Sequence, residues 1–326
     1  MHFRSVVRGL FALSLACSAA QVSAQEWPNR PIRFINPFGA GGLIDTVLAA
    51  TRLTIEGRLK QNIILENRTG GGGMVGMQAV ANATPDGYTF GLVPSNTMVI
   101  NQFLIKSSID PLKDFVPVTV LVDVPLVLAV SSKYSAKTVD ELFADLRARP
   151  GQLNFGSPGI ATPPHLAGEL LLRAAGLTAV HIPYKGGYDS ALALGTNEVQ
   201  FMVIGQATIG GQITSGMVRP LAVAASERLA TLPDVPTLQQ AGHGEIQKVM
   251  PRSWWGVIAP RGTPVGAVNR IADEFAKAMS DPEAQRKLRS MGLQPVGSTP
   301  AQFAAQLPDE AKRWGDLIRT AGIKGQ

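Results

Sequence analysis

Pro31-Ile32-Arg33-Phe34-Ile35-Asn36-Pro37-Phe38-Gly39-Ala40-Gly41-Gly42 runs into a helical pattern from Ile44 to Leu59, and this stretch decides the fold. Pro31 to Asn36 reads as a short strand rich in Ile and Phe. Pro37 to Gly42 breaks it. Ile44, Val47, Leu48, Leu53, Ile55 and Leu59 then recur at helical spacing. The same sentence repeats. Ile63 to Asn67 is a strand, Thr69 to Gly73 a glycine loop, and Val75 to Ala81 a helix. Pro85-Asp86-Gly87 is a turn, and Tyr88 to Val93 a strand that stops at Pro94-Ser95-Asn96-Thr97. Repeated strand, loop and helix predict parallel sheets covered by helices.

The pattern then starts again. Leu126 to Val130 and Trp255 to Ala259 are strongly apolar runs. Between them lie a helix at Val139 to Ala148, a strand at Leu153 to Phe155 and the loop Gly156-Ser157-Pro158-Gly159. A helix at Pro163 to Ala175 and strands at Val180 to Tyr184, Gln200 to Ile204 and Leu221 to Ala225 follow. Helices at Pro264–Met279, Pro282–Met291 and Pro300–Ala321 close the chain. Two series of glycine loops imply an α/β protein of two lobes, with the terminal helices returning to the first. An interrupted first lobe needs two crossings, and such a pair can serve as a hinge.

Composition narrows the class. The 326 residues suit two domains. Hydrophobic residues at 45% and charged residues at 17% exclude a disordered chain. The net charge of +6 is spread out rather than clustered on one element, which argues against nucleic-acid binding. Arg4 and Arg8 precede the apolar run Gly9 to Ala20, which is too short to span a bilayer, and Val22-Ser23-Ala24 supplies the small residues a signal peptidase reads. We expect a signal peptide over residues 1–24; the competing reading is an amphipathic helix of the folded domain. Removing it takes away Arg4, Arg8 and no acid, so the charge falls from +6 to +4. It also removes Cys17, the one cysteine, so the exported chain holds no thiol for a disulfide, a nucleophile or a metal. Ser14-Leu15-Ala16 before Cys17 is a poor lipobox, which leaves lipid attachment as a minor alternative. The expected location is the periplasm.

Three strand ends lead through Gly, Ser or Thr into a helix N-terminus: Phe38–Gly42, Ser95–Thr97 and Ser157–Thr162. A helix's first turn has unpaired N–H groups and a partial positive charge, and glycine lets an anion approach the backbone. Open α/β sheets bind ligands at such strand ends. The anion is better read as carboxylate than phosphate, because no Gly-Lys-Ser/Thr follows Gly70–Gly73 and Ile44 stands where a dinucleotide motif needs its third glycine. Asp45 is read as an acid complementing its own helix. A hydrolase pairing Ser157 with His165 is the alternative from another class, although Gly156-Ser157-Pro158-Gly159 is not the nucleophile elbow. His181 reads as a structural histidine, and no histidine spacing suggests a metal. No cofactor is expected.

These residues together resemble the receptors of tripartite tricarboxylate transporters, the Bug receptors. The resemblance rests on Pro31–Phe34 with Pro37–Gly42 and Asp45, on Glu66-Asn67-Arg68 with its glycine run, and on Pro85–Thr89. It continues through Leu153–Gly159, Thr162–Glu169, Tyr184–Gly187, Leu232–Thr237, Trp254–Gly256 and Ala259-Pro260, in order along the mature chain. It implies a type II periplasmic-binding fold, a Venus flytrap with two hinge crossings. The expected lobes are 25–128 with 246–326, and 129–245. It implies a monomeric receptor, not an enzyme, that captures a small organic acid (mono- or dicarboxylate, aromatic ones included) and hands it to membrane translocator subunits. Carried over by position, the first lobe contributes Phe38, Gly39, Ala40, Gly41, Gly42 and Ser95, and the second Ser157, Gly159, Thr162 and His165.

Three positions depart from the pattern. Asn36 stands where an apolar residue is usual, and either reaches the cleft or caps a loop. Tyr188 follows Tyr184-Lys185-Gly186-Gly187, where small residues are commoner. It either covers a long or aromatic ligand or packs on its own lobe. Asp189 beside it would turn preference away from a second carboxylate. A receptor signalling to a sensor kinase needs the same closed form and stays open as an alternative. Amino-terminal sequencing of the exported protein should begin at Gln25; a start at Cys17 would establish the lipoprotein instead.

Overall fold

The computed structural model describes residues 27–160 and 162–321, so the expected signal peptide and Cys17 lie outside the described residues. Strand β1 (Ile32–Asn36) leads to helix α1 (Leu43–Leu59), β2 (Ile63–Asn67), α2 (Met74–Ala81) and β3 (Thr89–Pro94). A π-helical turn over Asn96–Ile100 and a short α3 (Pro111–Asp114) precede β4 (Phe115–Asp123). The second series is β5 (Leu126–Ser131), α4 (Val139–Ala148), β6 (Asn154–Ser157), α5 (Pro163–Ala175), β7 (Val180–Pro183), α6 (Gly187–Thr196), β8 (Phe201–Gly205), α7 (Gln206–Thr214), β9 (Val218–Ala224) and α8 (Gly244–Val249). Then come β10 (Trp254–Pro260), α9 (Val265–Met279), α10 (Pro282–Ser290), β11 (Gln294–Pro295) and α11 (Pro300–Ala321).

Two sheets result. The first has the order β11-β4-β10-β3-β1-β2, the second β7-β6-β8-β5-β9. The expected parallel sheets are mixed: β10 is antiparallel to β3 and β4, and β5 is antiparallel to β8 and β9. The crossings cause this. β4 ends at Asp123 opposite Trp254, and β5 begins at Leu126 opposite Gly205. A strand that leaves one sheet at its carboxyl end enters the other from the same end, so it must run against its new neighbours. The chain passes over at Val124–Pro125 and returns at Met250–Ser253. The first passage precedes the 128/129 boundary read from sequence. The 245/246 boundary falls inside α8, whose Ile246 packs in the second lobe. By this arrangement the carboxyl ends of β1, β3, β6 and β8 all face the opposite lobe.

The strand β4 has no counterpart among those read from sequence. Pro117 interrupts its pattern, and a proline within a run argues against a strand. Here Pro117 sits where the pairing with β10 shifts register, between Val257 and Ile258. A proline without a donor fits such an irregularity.

Each lobe carries apolar residues on both faces of its sheet. On one face of the first, α1 and α9 bury Ile44, Val47, Leu48 and Ile55 with Val268, Ile271 and Phe275. Together with buried Thr51 and Leu59 the α1 residues fall on one face at helical spacing, as an amphipathic helix requires. Phe34 stacks on Phe90 at 5.5 Å and meets Phe275 edge-on at 5.7 Å. The other face packs Met98, Val99, Trp254 and Phe303 with Leu307, Trp314 and Leu317 of α11. Leu166 of α5, from the second lobe, joins this cluster. The helix starts are fixed locally: Thr138 caps α4 by accepting from Glu141 N, and Asp281 caps α10 by accepting from Glu283 N and Ala284 N.

Phe34→Ala removes a fully buried ring at the centre of this stack. It should cost about 3–5 kcal/mol in urea unfolding, while Leu53→Ala, on an 80% exposed side chain, should change stability by less than about 0.5 kcal/mol. Equal losses would contradict this core.

Candidate ligand-binding site

The first loop is built by two side chains that fold it back on itself. Asn36, fully buried at the end of β1, accepts from Phe38 N at 3.1 Å and donates from Nδ2 to Asp45 Oδ1 at 3.2 Å. Asp45 in turn accepts from Gly42 N at 3.0 Å. Of the two readings of Asn36, loop capping is the one observed. Asp45 meets its own helix N-terminus, as expected. Asn67, at the end of β2, donates to Phe38 O at 2.8 Å. With both ends tied, Gly39, Ala40, Gly41 and Gly42 stand exposed, and Gly41 takes φ +83°, which only glycine adopts readily. The Phe38 ring leans edge-on against Trp255 at 5.8 Å and is half-buried.

Ser95 and Thr97 lie where β3 meets the π-helical turn. π-Turns are rare and often accompany functional sites. Both side chains are buried, and neither Ser95 Oγ nor Thr97 Oγ1 finds a hydrogen-bond partner among the described residues. An unsatisfied buried hydroxyl costs about 1–3 kcal/mol. A Cβ built on Gly73 would lie 3.0 Å from Thr97 Oγ1 and 3.3 Å from the Phe38 ring, so Phe38, Gly73 and Thr97 converge on one spot.

The second-lobe loop uses hydroxyls for the same purpose. Ser157 Oγ donates to Gly159 O at 2.9 Å and accepts from Gly159 N at 3.2 Å. It also meets His181 Nε2 at 2.7 Å. The tautomer of His181 sets which of the two donates in this contact. Thr162 caps α5: its Oγ1 donates to Gly159 O at 2.8 Å and accepts from His165 N at 3.5 Å. His165 and His181 stack with centroids 3.9 Å apart, and His181 lies 4.8 Å from Phe155. His165 Nε2 is 3.8 Å from Glu169 Oε1.

This geometry corrects the hydrolase pairing. The imidazole at the Ser157 hydroxyl is that of His181, and His165 is stacked behind it. Ser157 is fully buried and its hydroxyl is engaged by Gly159 and His181. Burial pushes the His165 pKa down to about 4, helped by repulsion from His181, and burial alone pushes His181 down to about 4.

Tyr188 and Asp189 occupy the first turn of α6. Tyr188 is 75% exposed, so it does not pack on its own lobe. Asp189 is exposed as well. Sequence reasoning placed Thr97 in the Ser95–Thr97 loop and read His181 as structural, but it missed the tie from Asn67, the contact of His181 with Ser157 and the start of α7 at Gln206. A signal existed for the last: Gly205 ends a strand and opens a helix, as at the other loops. Among the described residues no group of His, Cys, Asp and Glu is arranged to hold a metal, and no helix is long and apolar enough to cross a membrane.

The sequence model of the tripartite tricarboxylate transporter family receptor matches residues 47–323. Protein BugT of Bordetella pertussis is 32% identical over 98% of this chain and 97% of its own. Among solved structures, an R. palustris protein with adipate is 29% identical, covers 92% of this chain and 100% of its own, and superposes with a TM-score of 0.81. MatC from Rhodopseudomonas palustris with bound malate is 28% identical over 90% of this chain and 100% of its own, with a TM-score of 0.74.

The stacked histidines give a signed pH dependence. An unfolded chain protonates both from about pH 6.5 downward, whereas the folded chain resists until about pH 4. Their contribution to stability is therefore lost as pH falls through that window. Melting curves between pH 8 and 4 should show a shallower decline for His181→Gln than for the wild type. Parallel declines would place the titration elsewhere.

Proposed function

Because the chain belongs to the tripartite tricarboxylate transporter family of receptors, we propose that it captures a small organic carboxylate between its lobes and delivers it to membrane translocator subunits. Receptors of this family are periplasmic. Export through the 1–24 leader and action as a monomer are part of the same reading. Adipate and malate, present in two similar structures, name the ligand class.

One observation carries the site: unspent donors gather at strand ends that face the opposite lobe. Ser95 Oγ and Thr97 Oγ1 lack partners beside the exposed Gly39–Gly42 loop. Across from them α5, α6 and α7 all begin at strand carboxyl ends. Helix starts favour an anion without an arginine, and a carboxylate offers about four lone-pair sites to such donors. Water can bridge the remainder. In this reading Phe38, Gly39, Ala40, Gly41, Gly42 and Ser95 bind from the first lobe. Gly159 and Thr162 bind from the second. Ser157 and His165 shape that loop from beneath, and Tyr188 with Asp189 forms the rim. Ligand contacts both lobes, so it favours the closed state by its additional contacts there.

In this reading the protein acts by binding rather than by turnover, as a receptor of this family would. A thermal-shift panel of mono- and dicarboxylates that includes adipate and malate should raise the melting temperature for at least one member. Thr162→Ala should weaken that ligand in calorimetry by freeing the Gly159 carbonyl that its hydroxyl holds, by about tenfold if the loosened loop costs about 1.4 kcal/mol of binding, while the variant stays folded. A silent panel would sink the ligand class. Unchanged affinity in Thr162→Ala would remove the second-lobe half of the site.

A further inference from the structure

Three helices of the second lobe begin at strand ends that face the first lobe, and one of them differs in charge. The first turns of α5 and α7 hold no acid, whereas that of α6 holds Asp189. Asp45, the acid at the start of α1, is spent on Gly42 N and Asn36 Nδ2. Asp189 is exposed and, among the described residues, carries no hydrogen bond or ion pair. Its free charge cancels the anion-attracting field of its helix start. Lys185, also exposed, is the cation nearest to it in sequence and forms no ion pair with it.

The opposite corner suits the ligand's carboxylate. Ser95 Oγ and Thr97 Oγ1 are buried in the first lobe without partners among the described residues. Leu166, just inside α5, packs into the first-lobe cluster that holds Met98 and Val99 of the π-helical turn. α5 therefore starts on the side of the turn that carries Thr97, and its N-terminus adds an anion-favouring field there. The other helix starts adjoin it. A Cβ on Gly159 would lie 3.5 Å from Tyr184 O, and one on Gly187 would lie 2.8 Å from Thr208 Cγ2. The second-lobe surface thus runs from the Gly159 loop past the end of β7 to the start of α6 and the first turn of α7.

We propose that Asp189 determines specificity at the ligand's far end: the receptor takes a monocarboxylate whose opposite end is uncharged, and it rejects dicarboxylates. This rests on the carboxylate-capture reading and narrows it. One carboxylate sits between the Ser95 and Thr97 hydroxyls and the start of α5. The other end of the ligand lies at α6, where a second carboxylate would face Asp189 as the lobes close and water leaves. Like charges at close range repel more strongly there than in open water. An apolar or hydroxyl-bearing end meets no such repulsion, and it can lie against the ring of Tyr188, which is 75% exposed.

The test compares each dicarboxylate with a monocarboxylate of the same chain length: adipate with hexanoate, and malate with β-hydroxybutyrate. Any other acid of the thermal-shift panel that binds is paired in the same way. Calorimetry gives the ratio of affinities within each pair. We expect the monocarboxylate to bind more tightly in each pair that binds. Asp189→Asn should move that ratio about tenfold toward the dicarboxylate, equivalent to about 1.4 kcal/mol. Asp189→Glu, which keeps the charge, should hold the ratio within about threefold of wild type. A wild type that binds the dicarboxylates at least as tightly overturns the proposal, and so does a preference that Asp189→Asn leaves unchanged. A preference lost in Asp189→Glu assigns it to shape rather than charge and also overturns it. If neither the wild type nor Asp189→Asn binds any acid of the panel, the carboxylate reading itself fails, and this inference falls with it.

Discussion

Everything in this molecule depends on the pairing of the two crossings where they pass between the lobes. Val124 N donates to Ser253 O at 2.7 Å, and Arg252 grips Asp123 with two contacts of 2.8 Å. Asp123 belongs to the outgoing strand and Arg252 to the returning segment. Burial pushes the Asp123 carboxyl up while the Arg252 charge pulls it down. The pair is partly open to solvent, so it serves mainly to hold the two segments in register. Arg252 also donates to Gln306 at 2.9 Å, and Glu310 accepts from Trp254 Nε1 at 2.8 Å. The first lobe's last helix is thereby tied to the returning crossing.

The two halves of the candidate site solve one problem in two ways. A loop that is to present backbone donors must be rigid, yet each bond that stiffens it consumes a donor. In the first lobe Asn36 and Asp45 take up Phe38 N and Gly42 N, the loop's two ends. In the second, Ser157 and Thr162 bind the Gly159 peptide. In both, the side chains that hold the loop come from the strand end or the first turn of the following helix. The site is consequently formed by local sequence, and only its two halves need bringing together. The stacked histidines beneath the second loop extend this support inward to Phe155 and the core.

Particular elements show what was readable. The helix Pro163–Ala175 was fixed by Thr162 as cap, prolines at its start and Gly176 in the left-handed conformation at its end. β1 and α1 were equally plain, because apolar spacing switches from a short run to a helical period across a glycine loop. β4 was hidden because Pro117 breaks a strand pattern that tertiary pairing tolerates at a register shift. The Ser157–His181 bond was hidden because 24 residues separate the partners, and only the parallel pairing of β6 with β7 brings them together. Proximity in sequence favoured His165, which the fold instead stacks behind His181.

Local chemistry alone, carried by chain order, therefore determined the strand–loop–helix units, the two-lobed class, the exposed glycine loops and most of the candidate binding positions. These follow from periodicity, capping and backbone freedom over a few neighbouring residues. Tertiary structure alone decided the antiparallel course of the crossing strands, the partner of Ser157, and the bare hydroxyls of Ser95 and Thr97. Each of these depends on which distant segments are packed side by side, and that is settled only when sheets pair and lobes approach.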